Sequence, residues 1–138
     1  MNAALTRTGG CLCGAVRFTA GLTALEFGAC HCSMCQRISG GVNLSFEVPA
    51  GAMQIEGADK VVTYRSSEWA ERAFCGICGA NLWYRSADRA DAHYAVGLGA
   101  LDDKSGMIFA SEICIDTKPD AYEFTGNRPR KTAAEVLA

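Results

Sequence analysis

Residues 74–84 read FCGICGANLWY, and their reading decides how the rest of the chain folds. Cys75-Gly-Ile-Cys78-Gly has the form of a zinc knuckle. Two thiolates leave one short turn toward the same point, and the glycines let backbone N–H groups turn toward the sulfurs. The residues that follow, NLWYRS (81–86), are aromatic-rich and read as a strand. Structural zinc takes four ligands at about 2.3 Å, so a knuckle with two cysteines needs a second pair. GGCLCG (9–14) supplies it as Cys11 and Cys13, flanked by the same glycines. Joining the two pairs clips the start of the chain to its middle. Structural zinc contributes about 10–16 kcal/mol in zinc-finger peptides, which suits a fold with few helices. Buried apolar cysteines, the alternative, explain neither the spacing nor the glycines.

A third cluster lies between these two. CHCSMC (30–35) holds Cys30, Cys32 and Cys35. Three protein ligands with one open position is the general arrangement of catalytic zinc, where water or a substrate atom completes the tetrahedron. Cys114 could close this site as a fourth thiolate, or it could fill apolar space on the strand EICID, as free cysteines often do. His31 sits between Cys30 and Cys32, and in extended backbone it points away if both neighbours bind. A packing or supporting role is expected for it. His93, in DAHYAV, reads as an ordinary strand residue.

The wider composition bounds the class. The chain has 138 residues, 49% hydrophobic and 20% charged, with a formal charge of -2. This suits a single domain over residues 1–138 with one core. A nucleic-acid footprint would make the domain basic, and none is present. No apolar run approaches the ~20 residues of a membrane span, and MNAALTRTGGC lacks the apolar core of a secretory signal. The expected location is the cytoplasm. That compartment keeps thiols reduced, so eight cysteines need an explanation other than disulfides.

Apolar alternation and β-branched or aromatic residues, in short stretches punctuated by glycine, mark strands at AVRFTA (15–20), VNLSFEV (42–48), KVVTYRS (60–66), NLWYRS (81–86), HYAVGLG (93–99) and SEICID (111–116). Helical periodicity is confined to one turn at SMCQRIS and the terminal TAAEVLA. Fifteen glycines against three prolines fit many tight turns. The reading is a mainly β protein.

GGCLCGAVRF, CHCSMCQRISGG, FCGICGANLWY and GLGALDD, in that order and spacing, resemble the glutathione-dependent formaldehyde-activating enzyme and centromere protein V family. The resemblance runs from about Gly10 to Asp103, with a weaker tail through EICIDTKPDAYEF. It implies a β-tent of antiparallel sheets with little helix. It also implies a structural zinc on Cys11, Cys13, Cys75 and Cys78, and a second, substrate-facing metal on Cys30, Cys32 and Cys35. Where many members carry a histidine at the start of the late strand, this chain carries Glu112. The position expected to be aromatic after TKPD falls on Ala121, unless Tyr122 takes its place. That region shapes the substrate side in the family, so substrate identity is left open.

The implied chemistry is that of a carbon–sulfur lyase, making or cleaving S-hydroxymethylglutathione from glutathione and formaldehyde. Cys30, Cys32 and Cys35 are the expected catalytic centre, and its partners are a small thiol and a small electrophile. A zinc-bound thiol loses its proton more readily, which supplies a thiolate at neutral pH. Arg37, two residues after Cys35, is the nearest candidate to meet an anionic thiol such as glutathione. A solvated surface arginine is the competing reading. Two other functions stay open: a zinc-stapled scaffold binding a protein partner, and a redox sensor built on Cys32 and Cys35. A scaffold needs only the four-cysteine site and leaves CHCSMC surplus.

Overall fold

The computed structural model describes residues 5–137. Strands β1 (Thr6–Gly10), β2 (Arg17–Gly21) and β5 (Met53–Glu56) form a small antiparallel sheet in the order β1-β2-β5. Eight strands make the second sheet: β3 (Glu26–Cys30), β4 (Asn43–Val48), β6 (Val61–Arg65), β7 (Ala70–Cys75), β8 (Asn81–Ser86), β9 (Tyr94–Gly97), β10 (Ile108–Ile113) and β11 (Arg130–Lys131). Their order is β11-β10-β3-β4-β9-β8-β7-β6. Apart from short 3-10 turns, helix among the described residues is limited to α1 (Ser33–Ser39) and α2 (Ala133–Leu137). The mainly β expectation holds. One detail departs from all-antiparallel sheets: β10 runs parallel to both β3 and β11. Parallel neighbours need a long crossover, and the chain between β3 and β10 provides one.

Strand pairing sorts the large sheet into two faces. Directly opposed residues share a face, so the pairs Ala73–Trp83, Trp83–Val96 and Val96–Phe46 form one continuous row. This row is buried and packs on Val16, Phe18 and Ala20 of the β2 region. Phe18 meets Trp83 edge-on at 6.4 Å, and Trp83 meets Tyr94 at 5.3 Å; offset or edge contacts of this kind suit the aromatic quadrupole. The opposite face carries another row, Arg72–Tyr84–Ala95–Glu47, beside Cys30–Asn43. That second face is the one the three-cysteine cluster uses.

GLGALDD ties the sheets together. Asp102 accepts hydrogen bonds from Thr8 Oγ1 at 2.7 Å and from Arg17 Nη1 at 3.1 Å and Nη2. The Arg17 guanidinium holds its carboxyl down to about 2. Gly9 lies under this turn, where a Cβ would stand 2.3 Å from the Ala100 carbonyl oxygen. Only glycine allows the approach. Among the described residues no helix is long and apolar enough to cross a membrane.

Candidate metal centres

The first centre forms where two turns meet. Cys11 follows the last residue of β1, Cys75 ends β7, and Cys78 lies in the turn before β8. With Cys13 their sulfurs all lie within 4.8 Å of one another. Cys11 Sγ is 3.6 Å from Cys13 Sγ, which is 3.8 Å from Cys75 Sγ. Ligand bonds of about 2.3 Å in a tetrahedron put sulfurs roughly 3.8 Å apart, so this donor set fits one zinc ion. The backbone aims N–H groups at the sulfurs, as the knuckle sequence requires: Val16 N donates to Cys11 at 3.3 Å, and Ile77 N and Cys78 N to Cys75 at 3.4 and 3.5 Å. Backbone donors from Ala80 and Cys13 hold the Cys78 thiol down to about 6. All eight cysteines are free thiols.

The second centre is built on the outer face of the large sheet. β3 ends at Cys30 and α1 begins just past Cys32. Cys32 is the N-cap of that helix, its sulfur accepting from Cys35 N at 3.3 Å. Gln36 anchors the turn by donating to the carbonyls of His31 at 2.8 Å and Thr117 at 2.9 Å. The sulfurs of Cys30, Cys32 and Cys35 lie within 4.8 Å of one another, so three thiols converge and could hold a metal.

Beneath them lies a residue that sequence reading missed. Arg72 of β7 is 4% exposed and donates from Nη1 to Cys35 Sγ at 3.4 Å. Its guanidinium stands 4.9 Å from the centre of the Tyr84 ring, and its Nε is buried without a hydrogen-bond partner. Contact with Cys30, then the neighbouring Arg72 charge, bring the Cys35 thiol down to about 5 against the opposing effect of burial. Cys30 moves the other way, pushed up by Cys35 and by burial. The signal in AERAFC was an arginine on the face opposite Ala73 and Cys75. Its meaning emerges only once β7 is paired and α1 is laid across it.

The remaining candidates fall as follows. His31 is fully buried and turned away from the cysteine face: its Nε2 lies 2.8 Å from Glu112 Oε1, and its ring packs near Phe124 at 6.1 Å. Glu112 also accepts from Arg128 Nη1 and Arg130 Nε, each at 2.8 Å. Cys114 follows the residue that pairs with Cys30 and has a left-handed backbone, φ 55°. Burial pushes its thiol up, while contact with Cys30 partly offsets this. Its sulfur is not among the three that converge. Arg37 is exposed in the last turn of α1. His93 is a surface residue 3.5 Å from Glu47 Oε2. Tyr122 packs on Phe124 at 5.7 Å, and Ala121 is exposed.

Two clefts lie near this region, and of the three converging cysteines only Cys30 lines either of them. A groove of about 780 Å³ runs past Ile38, Ser39, Asn43 and Asn81 to Cys11 and the Gly99 turn. Ser39 Oγ bridges Asn43 Oδ1 and Asn81 Nδ2 along its wall, each at 3.2 Å. A second cleft, about 340 Å³, lies over β3, β4 and β10 and includes Cys30, Ser45 and Ser111.

Residues 6–117 match the family model described as glutathione-dependent formaldehyde-activating enzyme. Over 129 residues the chain is 28% identical to a Schizosaccharomyces pombe protein named an uncharacterized lyase, covering 94% of this chain and 93% of that one. It is 34% identical over 85 residues to a Halomonas elongata protein provisionally named a glutathione-dependent formaldehyde-activating enzyme, covering 54% and 53% of the two chains. Among solved structures, a Rhodobacter sphaeroides protein superposes with a TM-score of 0.58 at 24% identity, covering 69% of this chain and 87% of the other. That likeness is one of fold.

Proposed function

The chain belongs to the glutathione-dependent formaldehyde-activating enzyme family, and from that premise we propose that it makes or breaks a carbon–sulfur bond between a small thiol and a small electrophile. Glutathione and formaldehyde are the pair the family name supplies. The observation that carries the reading is the convergence of Cys30, Cys32 and Cys35, separate from a four-cysteine cluster that already suffices as a staple.

In this reading Cys11, Cys13, Cys75 and Cys78 hold a structural zinc. Cys30, Cys32 and Cys35 hold a second zinc and leave one place for a ligand from solution. When bound there, the ion would lower the pKa of an incoming thiol and stabilise a departing thiolate. The protein's own residues set the frame. The Cys32 cap and the two Gln36 hydrogen bonds fix the turn that presents the thiols. Arg72 donates to Cys35 from below. The groove past Ser39 and Asn43 gives a tripeptide room to lie, with Arg37 at the exposed end of α1 to meet a carboxylate. A reducing compartment suits reactive thiols, and we place the protein in the cytoplasm.

Cobalt substitution tests the reading, because a thiolate joining the second centre adds charge-transfer absorption. Glutathione should change the wild-type spectrum, and Cys35→Ala should abolish that change. A Cys114→Ala protein separates open from closed forms. If that variant alone responds to thiol, Cys114 is a fourth ligand and the site is a second staple.

A further inference from the structure

Arg72 poses a charge problem that the proposed function leaves unsolved. An unpaired ion in a protein interior costs several kcal/mol even after relaxation, so a buried arginine normally faces a carboxylate. Arg128, whose side chain is 7% exposed, obeys this, paired with Glu112 at 2.8 Å. Arg72, 4% exposed, has a cysteine sulfur where the carboxylate would be. Tyr84 offers its ring face 4.9 Å away, and cation–π attraction of this kind does not neutralise a charge. Asn43, Asn81 and Gly97 line the same small void as Arg72 and bring no charge of their own.

We propose that Arg72 is the fixed counter-ion of the three-cysteine centre, and that its charge selects an anionic sulfur ligand for the open place. This rests on the reading of that centre as a metal site. Three thiolates and a divalent ion sum to one negative charge, which Arg72 cancels. A neutral ligand leaves the balance at zero, and an entering thiolate takes it only to one negative charge. Without Arg72 the same thiolate would join a centre already negative and produce two buried negative charges. Like charges at such distances repel strongly in a medium of low dielectric. Arg72 is therefore a specificity-determining residue, acting through charge on a ligand it need not touch.

The test compares two probes at one fixed pH on cobalt-loaded protein: 2-mercaptoethanol, which binds as an anion, and imidazole, which binds as a neutral donor. Neither carries a carboxylate that could engage Arg37. Arg72→Met should weaken thiol binding by roughly tenfold or more while imidazole affinity stays within about twofold. Arg72→Lys, which keeps the charge and tests the same point if the methionine variant folds poorly, should hold the thiol-to-imidazole ratio near wild type. Retention of metal by the four-cysteine centre reports that each variant is folded. Equal loss of both probes in Arg72→Met, or a lysine variant whose ratio collapses, would mean that Arg72 only shapes the site. An unchanged ratio in Arg72→Met would also overturn the inference. If wild type itself responds to neither probe, the metal-site reading fails first and takes this inference with it.

Discussion

His31 Nε2 and Glu112 Oε1 meet at 2.8 Å inside the protein, across 81 residues of sequence, with both side chains essentially unexposed. An ionised carboxylate can only accept, so the histidine donates from Nε2. Register places Glu112 opposite Ala29, on the sheet face away from Cys30. The residue that departs from the family pattern thus belongs to an anchor for Arg128 and Arg130, behind the cysteine cluster.

Breaking that anchor should cost stability and leave metal binding intact. Glu112→Gln keeps the shape and strands two arginines, a loss of about 3 kcal/mol by analogy with other buried pairs. Burial alone would raise the Glu112 carboxyl, but the hydrogen bonds of His31, Arg128 and Arg130 outweigh it and hold it below the usual 4.5. A depressed carboxylate stabilises the fold fully above its unfolded pKa and loses that effect as pH falls through the folded one. Denaturant unfolding of both proteins across pH checks this. The gap should be widest near neutrality and close in acid below 4.5. A gap that grows in acid would reverse the assigned sign.

The two clusters should respond differently to loss of a ligand. Cys75→Ser should lower the melting temperature by roughly 10 °C or more, since the ion's binding energy is part of the folding energy. Cys32→Ser should leave most of the fold standing and reduce bound zinc from about two per chain to one. Elemental analysis with thermal melting reads both outcomes. A Cys75→Ser protein with normal stability and two metals would refute the structural assignment.

Arg37 should matter to glutathione and not to simpler thiols. Its exposed place at the end of α1 suits contact with a carboxylate carried at some distance from the sulfur. Arg37→Ala should raise KM for glutathione several-fold, a weak surface ion pair's worth, with kcat unchanged. Steady-state kinetics with glutathione and 2-mercaptoethanol decide the matter. Equal effects on both thiols would remove Arg37 from substrate binding.

What sequence could and could not reveal follows from the kind of signal each element carries. Alternation marked β4 almost to the residue, because Phe46 and Val48 face the core while Glu47 between them is exposed. Aromatic enrichment, not alternation, marked β8, where adjacent Leu82 and Trp83 are both buried. It missed β3, EFGAC, whose Gly28 and Ala29 give little contrast, and β7, AERAFC, where a buried arginine stands on the outer face. β1, TRTGG, has no apolar side chain to alternate. The cysteine clusters were legible since ligands from one turn share a short sequence window. The turned-away orientation of His31 followed from strand geometry, and the structure agrees. Arg72 was not legible: its position beside Cys35 depends on β7 pairing with β8 and on α1 crossing the sheet, neither of which is local.

The most direct measurement is the exchange between glutathione and S-hydroxymethylglutathione in the presence of formaldehyde, followed by two-dimensional NMR exchange spectroscopy on zinc-loaded protein. Wild type should accelerate the exchange well beyond the protein-free rate. Cys35→Ala, folded and holding only the four-cysteine metal, should return it to that background rate. A wild-type rate equal to background, or a Cys35→Ala protein as fast as wild type, would contradict carbon–sulfur chemistry at the three-cysteine centre.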